Sequence, residues 1–246
     1  MSTHRHIVAG TPLPELDKAT AVASAMPLYA WLSPSFPVGS FAFSHGVEWA
    51  VHAGDVRDTA STIAWIGTLL DQGSLRNDVI LASCAWGAAS ANDEIAFRAV
   101  VELGIAIAGS RERHFEAAGQ GNAFIAALRS AWMRPSLEWA IAAVSQRDVS
   151  YSVAVAIAAA GYDIPRLVML EALSLSLVQN LVSATIRLSI LGHTDGQRTI
   201  EALLPAARRL AHTANAAALD DLGGAAFRSD IAAIKHETQR TRLFRS

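Results

Sequence analysis

Between Pro165 and Leu191, apolar residues recur at Leu170, Leu173, Leu177, Leu181, Ala184, Leu188 and Leu191, spaced 3, 4, 4, 3, 4 and 3. That spacing keeps them on one helix face. The seam predicts one continuous buried helix of about 25 residues, roughly 38 Å long. A short part, "LSLSLV", alternates like a strand, but the seam runs through it unbroken.

From Met26 onward the pattern is helical almost throughout, rich in Ala and broken at intervals by Gly or Pro. Ser44 can cap a helix running to Ala53, with Gly54 as its stop. Asp58 can cap "TASTIAWIGTLLDQ", which ends at Gly73. Asn92, Asp93 and Glu94 open another helix, with acids where the helix dipole favours them. Pro135 and Ser136 open "LEWAIAAVSQ", and Ser150 opens "YSVAVAIAAA", closed by Gly161. Further helices are predicted at about 197–213 and 226–238, the first kinked or divided at Pro205. "LGHTDGQRT" (191–199) reads as a connector: Gly192 ends the long helix, and Thr194, Asp195 and Gly196 make a turn.

Strand–helix alternation is missing, so the fold class is all-α. The expected architecture is a single multi-helix, bundle-like domain over 26–235 around the long buried helix. Residues 1–25, with Pro12, Pro14 and few large apolar side chains, are expected to be a flexible arm, and 236–246 a partner-binding tail.

Composition adds surface to account for. Hydrophobic residues make up 52% and charged residues 17%, which points to extra burial in an oligomer or complex. A formal net charge of −2 leaves no footprint for nucleic acid. Residues 19–47 carry no formal charge, but Pro27, Pro34, Pro37, Gly39 and Gly46 prevent a lipid-exposed helix there. Ala172–Ile186 holds Gln179 and Asn180 and suits a buried helix better than a membrane span. The single cysteine, Cys84, excludes an intrachain disulfide and a four-thiolate zinc site. With no apolar leader near Met1, a cytoplasmic location is expected.

Candidate chemistry is incomplete everywhere. "AFSHG" (42–46) approximates the G-x-S-x-G elbow that presents a nucleophilic serine, here Ser44, but no strand feeds it. Its other reading is a helix cap. Lys18 and Lys235 each lack the following Ser or Thr of a phosphate-binding loop. His45 and His52 stand two turns apart, too far to share an ion, and His4 and His6 could chelate only weakly. In the last segment, Leu243 and Phe244 sit among Arg240, Arg242 and Arg245, as in an interface anchor.

Three segments together resemble the urease accessory protein UreF family. The first carries Ser33, Pro34, Pro37, Val38, Gly39, Phe41, Ser44, Gly46, Val47 and Glu48. The second carries Leu191, Gly192, Thr194, Asp195, Gly196 and Gln197, with His193 in place of the usual Gln and Ile190 where Pro is common. The third carries His236, Glu237, Thr238, Gln239, Arg242, Leu243, Phe244, Arg245 and Ser246. The resemblance implies a non-enzymatic helical protein of urease maturation. It implies a homodimer that binds UreD (also called UreH), recruits the GTPase UreG, and docks on apo-urease so that nickel reaches its active site. No cofactor belongs to the chain itself on this reading: nickel is handled by the assembled complex and GTP by the partner. As a finer role the resemblance implies either control of GTP hydrolysis by UreG or a share in a nickel passage, and the sequence does not choose between them. The expected partner-binding residues are Pro37, Gly39, Phe41, Ser44, His45, Glu48, Thr194, Asp195, Gln197, His236, Glu237, Gln239, Arg242, Phe244 and Arg245. Two other readings stay open: a serine hydrolase using Ser44, and a helical interaction scaffold unrelated to urease.

Overall fold

The computed structural model describes residues 25–246. The expected arm therefore lies, but for Ala25, outside the described residues, as do His4 and His6. Among the described residues there are eleven α-helices and no strand. In chain order they are α1 (Met26–Trp31), α2 (Val47–His52), α3 (Thr59–Gln72), α4 (Ser74–Ala91), α5 (Glu94–Ala106) and α6 (Arg111–Ala131). Then follow α7 (Glu138–Ala143), α8 (Tyr151–Gly161), α9 (Arg166–Arg187), α10 (His193–Ala214) and α11 (Phe227–His236). The all-α expectation holds.

Local chemistry sets several helix starts. Asp58 caps α3 by accepting the Ser61 N–H at 2.8 Å, and Ser61 Oγ accepts the Asp58 N–H at 3.0 Å, a reciprocal capping box. Asp93 accepts the Ala96 N–H to start α5, and Ser110 accepts the Arg113 N–H to start α6. Ser150 stands at the expected start of α8, but its hydroxyl makes no capping bond.

The apolar seam defines α9. Leu170, Leu173, Leu181 and Ala184 are buried, and α9 packs against α10, α4 and α8. The helix stops at Arg187, short of the predicted end, and Ser189 turns left-handed at φ 61°. Leu191 lies beyond the helix yet remains buried. By length and composition α9 could cross a membrane, but here it is a core helix. Between α4 and α6 lies α8, whose alanines bring the backbones close. At Gly121 a Cβ would stand 1.9 Å from the Val149 carbonyl oxygen, so only hydrogen fits where the start of α8 crosses α6.

Three boundaries differ from expectation. The supposed connector 191–199 is mostly helix, because α10 already begins at His193 with Gly192 as its cap residue. Asp195 sits in that first turn, where the dipole favours an acid, and its carbonyl takes the Thr199 hydroxyl at 2.8 Å. Pro205 does not divide α10. Pro205 and Glu201, whose carbonyl loses its partner, both face solvent, and water can satisfy that carbonyl. Finally, α2 begins at Val47 with Gly46 as its cap residue, later than the Ser44 start predicts.

Candidate functional site: a buried ionic cluster beneath the last segment

The turn before α2 places the polar residues of "AFSHGVE" inside the protein. His45 and Gly46 are both left-handed, at φ 59° and 77°, which swings the chain sharply into the helix. A Cβ on Gly46 would come within 2.9 Å of the Ala233 nitrogen, so α11 can rest directly on this turn. Ser44, His45 and Glu48 are buried as a result.

These side chains meet two carboxylates of α6, Glu112 and Glu116, spaced four residues apart and both buried. From α11, His236 is fully buried between carboxylates: Nδ1 lies 2.6 Å from Glu112 Oε2 and Nε2 lies 2.9 Å from Glu48 Oε2. Arg242 Nη1 reaches Glu112 Oε1 at 2.7 Å. Arg113 binds Glu116 Oε2 at 2.7 Å, lies 3.7 Å from Asp78 Oδ2, and also contacts His45 Nδ1. Burial alone would raise the Glu116 carboxyl, but Arg113, His45 and Ser246 overcome it and hold it down at about 2. Burial raises Asp78 above its ordinary value against the pull of Arg113.

The last segment closes over this cluster. The Leu243 N–H donates to Glu48 Oε1 at 2.6 Å and the Phe244 N–H to Glu48 Oε2 at 3.0 Å. The Arg245 N–H donates to the Ala42 carbonyl and the Ser44 N–H to the Ser246 carbonyl, each at 2.8 Å. Ser246 Oγ reaches Glu116 Oε2 at 2.8 Å. Phe244 is buried, with the Arg187 guanidinium 4.4 Å from its ring centroid. Sequence reasoning made this segment a partner-binding tail. The structure places it on its own chain, beside Ala42 and Ser44. Phe244 is not the exposed anchor the sequence suggests, because Glu48 and the turn before α2 hold its backbone with the ring turned inward.

The remaining site candidates divide. Phe41 is 69% exposed, and its carbonyl takes a hydrogen bond from Arg187. Pro37 is exposed, and Gly39 is left-handed at φ 69°, as the turn requires. Arg245 is exposed, with its guanidinium 5.8 Å from the Phe115 ring centroid. Glu237 accepts the Arg111 N–H at 2.8 Å and so tethers the start of α6. Gln239 donates to the Thr241 carbonyl. Thr194 and Gln197 are exposed on α10, and Asp195 pairs with Arg198 at 2.9 Å. Among the described residues no hydrogen bond or ion pair joins these three to the cluster. Sequence reasoning missed Asp78, Glu112, Arg113 and Glu116. The i, i+4 acids in "RERHFE" are the one local sign of them.

Ser44 is not a nucleophile. Its hydroxyl is buried, donates to the Ser246 carbonyl, and accepts the Glu48 N–H at 3.3 Å. No strand among the described residues feeds the elbow that the hydrolase reading needs. Cavities of about 170 and 240 Å³ share His45, Asp78, Arg113 and Ala117 as walls. Among the described residues no group of three or more His, Cys, Asp or Glu is arranged to hold a metal ion.

The fold and site define a helical protein whose buried charges pair within its own chain. The UreF family model matches residues 56–204. The chain is 48% identical over 230 residues to a urease accessory protein UreF of Xanthobacter autotrophicus, covering 94% of each chain. It is 46% identical over 228 residues to one of Rhodopseudomonas palustris, covering 93% of this chain and 95% of that one. With one of Methylobacterium radiotolerans it shares 47% over 222 residues, covering 90% and 96%. The chain belongs to the UreF family of urease accessory proteins. Those relatives are named as accessory proteins, not as enzymes, in agreement with the non-enzymatic reading.

Proposed function

We propose that this chain is a scaffold of urease maturation in the cytoplasm. It binds UreD (UreH), recruits the GTPase UreG, and docks with them on apo-urease for nickel insertion. Nickel and GTP are handled by the assembly and the partner, and the chain contributes surfaces. The observation that carries this reading is a set of exposed apolar side chains with arginines beside two of them. Phe41, Phe115 and Leu243 are 69%, 49% and 55% exposed. Exposed Arg187 donates to the Phe41 carbonyl, and the exposed Arg245 guanidinium lies 5.8 Å from the Phe115 ring centroid. Aromatic side chains flanked by arginine are the residue types that concentrate binding energy at interfaces. The start of α10, with Thr194, Asp195 and Gln197, is a second contact surface on this reading.

The test is pull-down of UreD by the Leu243→Asp and Phe41→Asp variants. Both side chains face solvent, so melting should change little while capture falls at least tenfold. Capture at the level of the unsubstituted chain would place UreD on another face.

Self-association belongs to the same proposal. Phe227, Ile231 and Ile234 form an exposed stripe on α11, spaced four and three residues apart. Light scattering at micromolar concentration is expected to give about twice the 26.1 kDa chain mass. A mass that stays at one chain would refute the homodimer.

A further inference from the structure

Residues 242–246 lie across the cluster with a bend at Leu243 and Phe244, and burial alternates from Leu243 to Ser246. Phe244 and Ser246 point in and are buried, while Leu243 and Arg245 point out and are exposed. Two successive backbone N–H groups of this run, on Leu243 and Phe244, end on the two oxygens of one carboxylate, Glu48. Oε2 of that carboxylate also takes His236 Nε2. A carboxylate is the one side chain with two acceptor oxygens and no donor, so it can receive adjacent amides and an imidazole together. Glu48 is 6% exposed, and α2, which carries it, starts from the left-handed turn at His45 and Gly46.

We infer that Glu48 is the latch of this segment: its carboxylate positions residues 242–246, and the segment docks and releases as one unit on that contact. The bonds made by this segment divide into an anchor and supports. Apart from Glu48, the docked backbone is held by the Arg245 N–H on Ala42 and the Ser246 carbonyl on Ser44. Both supports lie in the turn that leads into Glu48. The side-chain bonds from Arg242 to Glu112 and from Ser246 to Glu116 hold the two ends. Losing the Glu48 acceptor leaves two buried or half-buried amides without their partners, which costs free energy. Releasing the whole run into water relieves that cost. Docking also fixes Arg245 beside Phe115 and holds the Leu243 side chain out to water. The consequence for partner capture rests on the proposed UreD reading, whereas the latch does not.

The test uses amide hydrogen exchange and trypsin on the full chain without any partner. In the unsubstituted protein, the amides of Ser44, Leu243, Phe244 and Arg245 should exchange together. Their rate should be at least tenfold above that of the buried amides of α8, such as Val155 and Ile157. Glu48→Gln keeps the shape but replaces one acceptor oxygen with an N–H₂ group. It should speed those four amides a further tenfold, speed cleavage after Arg240 and Arg242 by a similar factor, and leave α8 unchanged. Glu112→Gln retains both backbone bonds to Glu48 and should change the four amides less than threefold. The latch is overturned if Glu48→Gln leaves the four amides unchanged, if it speeds α8 equally, or if Glu112→Gln has the same effect. Should Glu48→Gln fail to fold, the unsubstituted chain still decides: four amides exchanging only at the α8 rate would refute the docked-and-released unit. Loss of UreD capture in Leu243→Asp with latch exchange intact would show the two ideas to be separate.

Discussion

Deletion of residues 236–246 lowers the thermal midpoint by roughly 10–20 °C. The deletion removes Phe244 from a buried slot, and loss of a buried Phe typically costs about 3–5 kcal/mol. It also strips Glu48 and Glu112 of His236, Arg242 and two backbone donors. Breaking a buried ionic cluster by removing one side costs about 3–5 kcal/mol on its own. These losses share partners and do not add, and water entering the gap hydrates part of the exposed acid. A total of about 5 kcal/mol, at roughly 2–4 °C per kcal/mol for a chain of this size, gives the stated shift. Differential scanning calorimetry checks it, and an unchanged midpoint would mean that the segment contributes nothing to the fold. Such a deletion alters fold and surface together, so partner capture by the truncated chain says little about the interface. The exposed Leu243 and Phe41 are the positions that separate the two.

The second large effect is acid sensitivity centred on Glu116. Its carboxyl is held at about 2, against an ordinary value of 4.5. For an acid with a depressed folded value, the stabilisation is fully present above the ordinary value. It is lost as pH falls from about 4.5 toward 2. A shift of this size corresponds to about 3 kcal/mol. Asp78, raised by burial, acts in the opposite direction, because its folded form holds the proton more tightly and loses stability as pH rises. The measured slope is the difference of the two. Glu116→Gln should lower stability by about 2–3 kcal/mol at pH 7, since Arg113 keeps its charge and loses its nearest carboxylate. The same variant should flatten the acid limb of the denaturation curve. Urea unfolding at pH 7, 4 and 3 tests both effects, and a variant whose stability falls with acid as steeply as the parent would assign the sensitivity to another group.

What was legible in the sequence was local. The α9 seam lies within one stretch, and the Asp58 and Asp93 caps act on residues three positions away. Helix α6 was hidden. Its sequence "RERHFEAAGQGNAF" has two glycines and no clean apolar stripe, and it is held in place by packing against α8. The site was half legible. Its "SHGVE" and "HETQ" ends stood out as motifs, but the pairing of Glu48 with Leu243 spans 195 positions and that of Glu112 with Arg242 spans 130. No periodicity reports such a match. The inward Phe244 looked like an exposed anchor because its pocket is built from residues far away in the chain.

The alternating burial of the last four residues also limits how this end of the chain can change length. Between His236 and Arg242 the chain is tethered more lightly, at Glu237 and within its own turn, so added or lost residues there can be taken up in the loop. After Arg242 there is no such slack. A shift of one position would exchange the inward and outward sets, setting a guanidinium in the slot of the Phe244 ring and turning the ring out to water. Substitutions can accumulate along this end one at a time, but a single-residue insertion or deletion within 242–246 should be rejected outright.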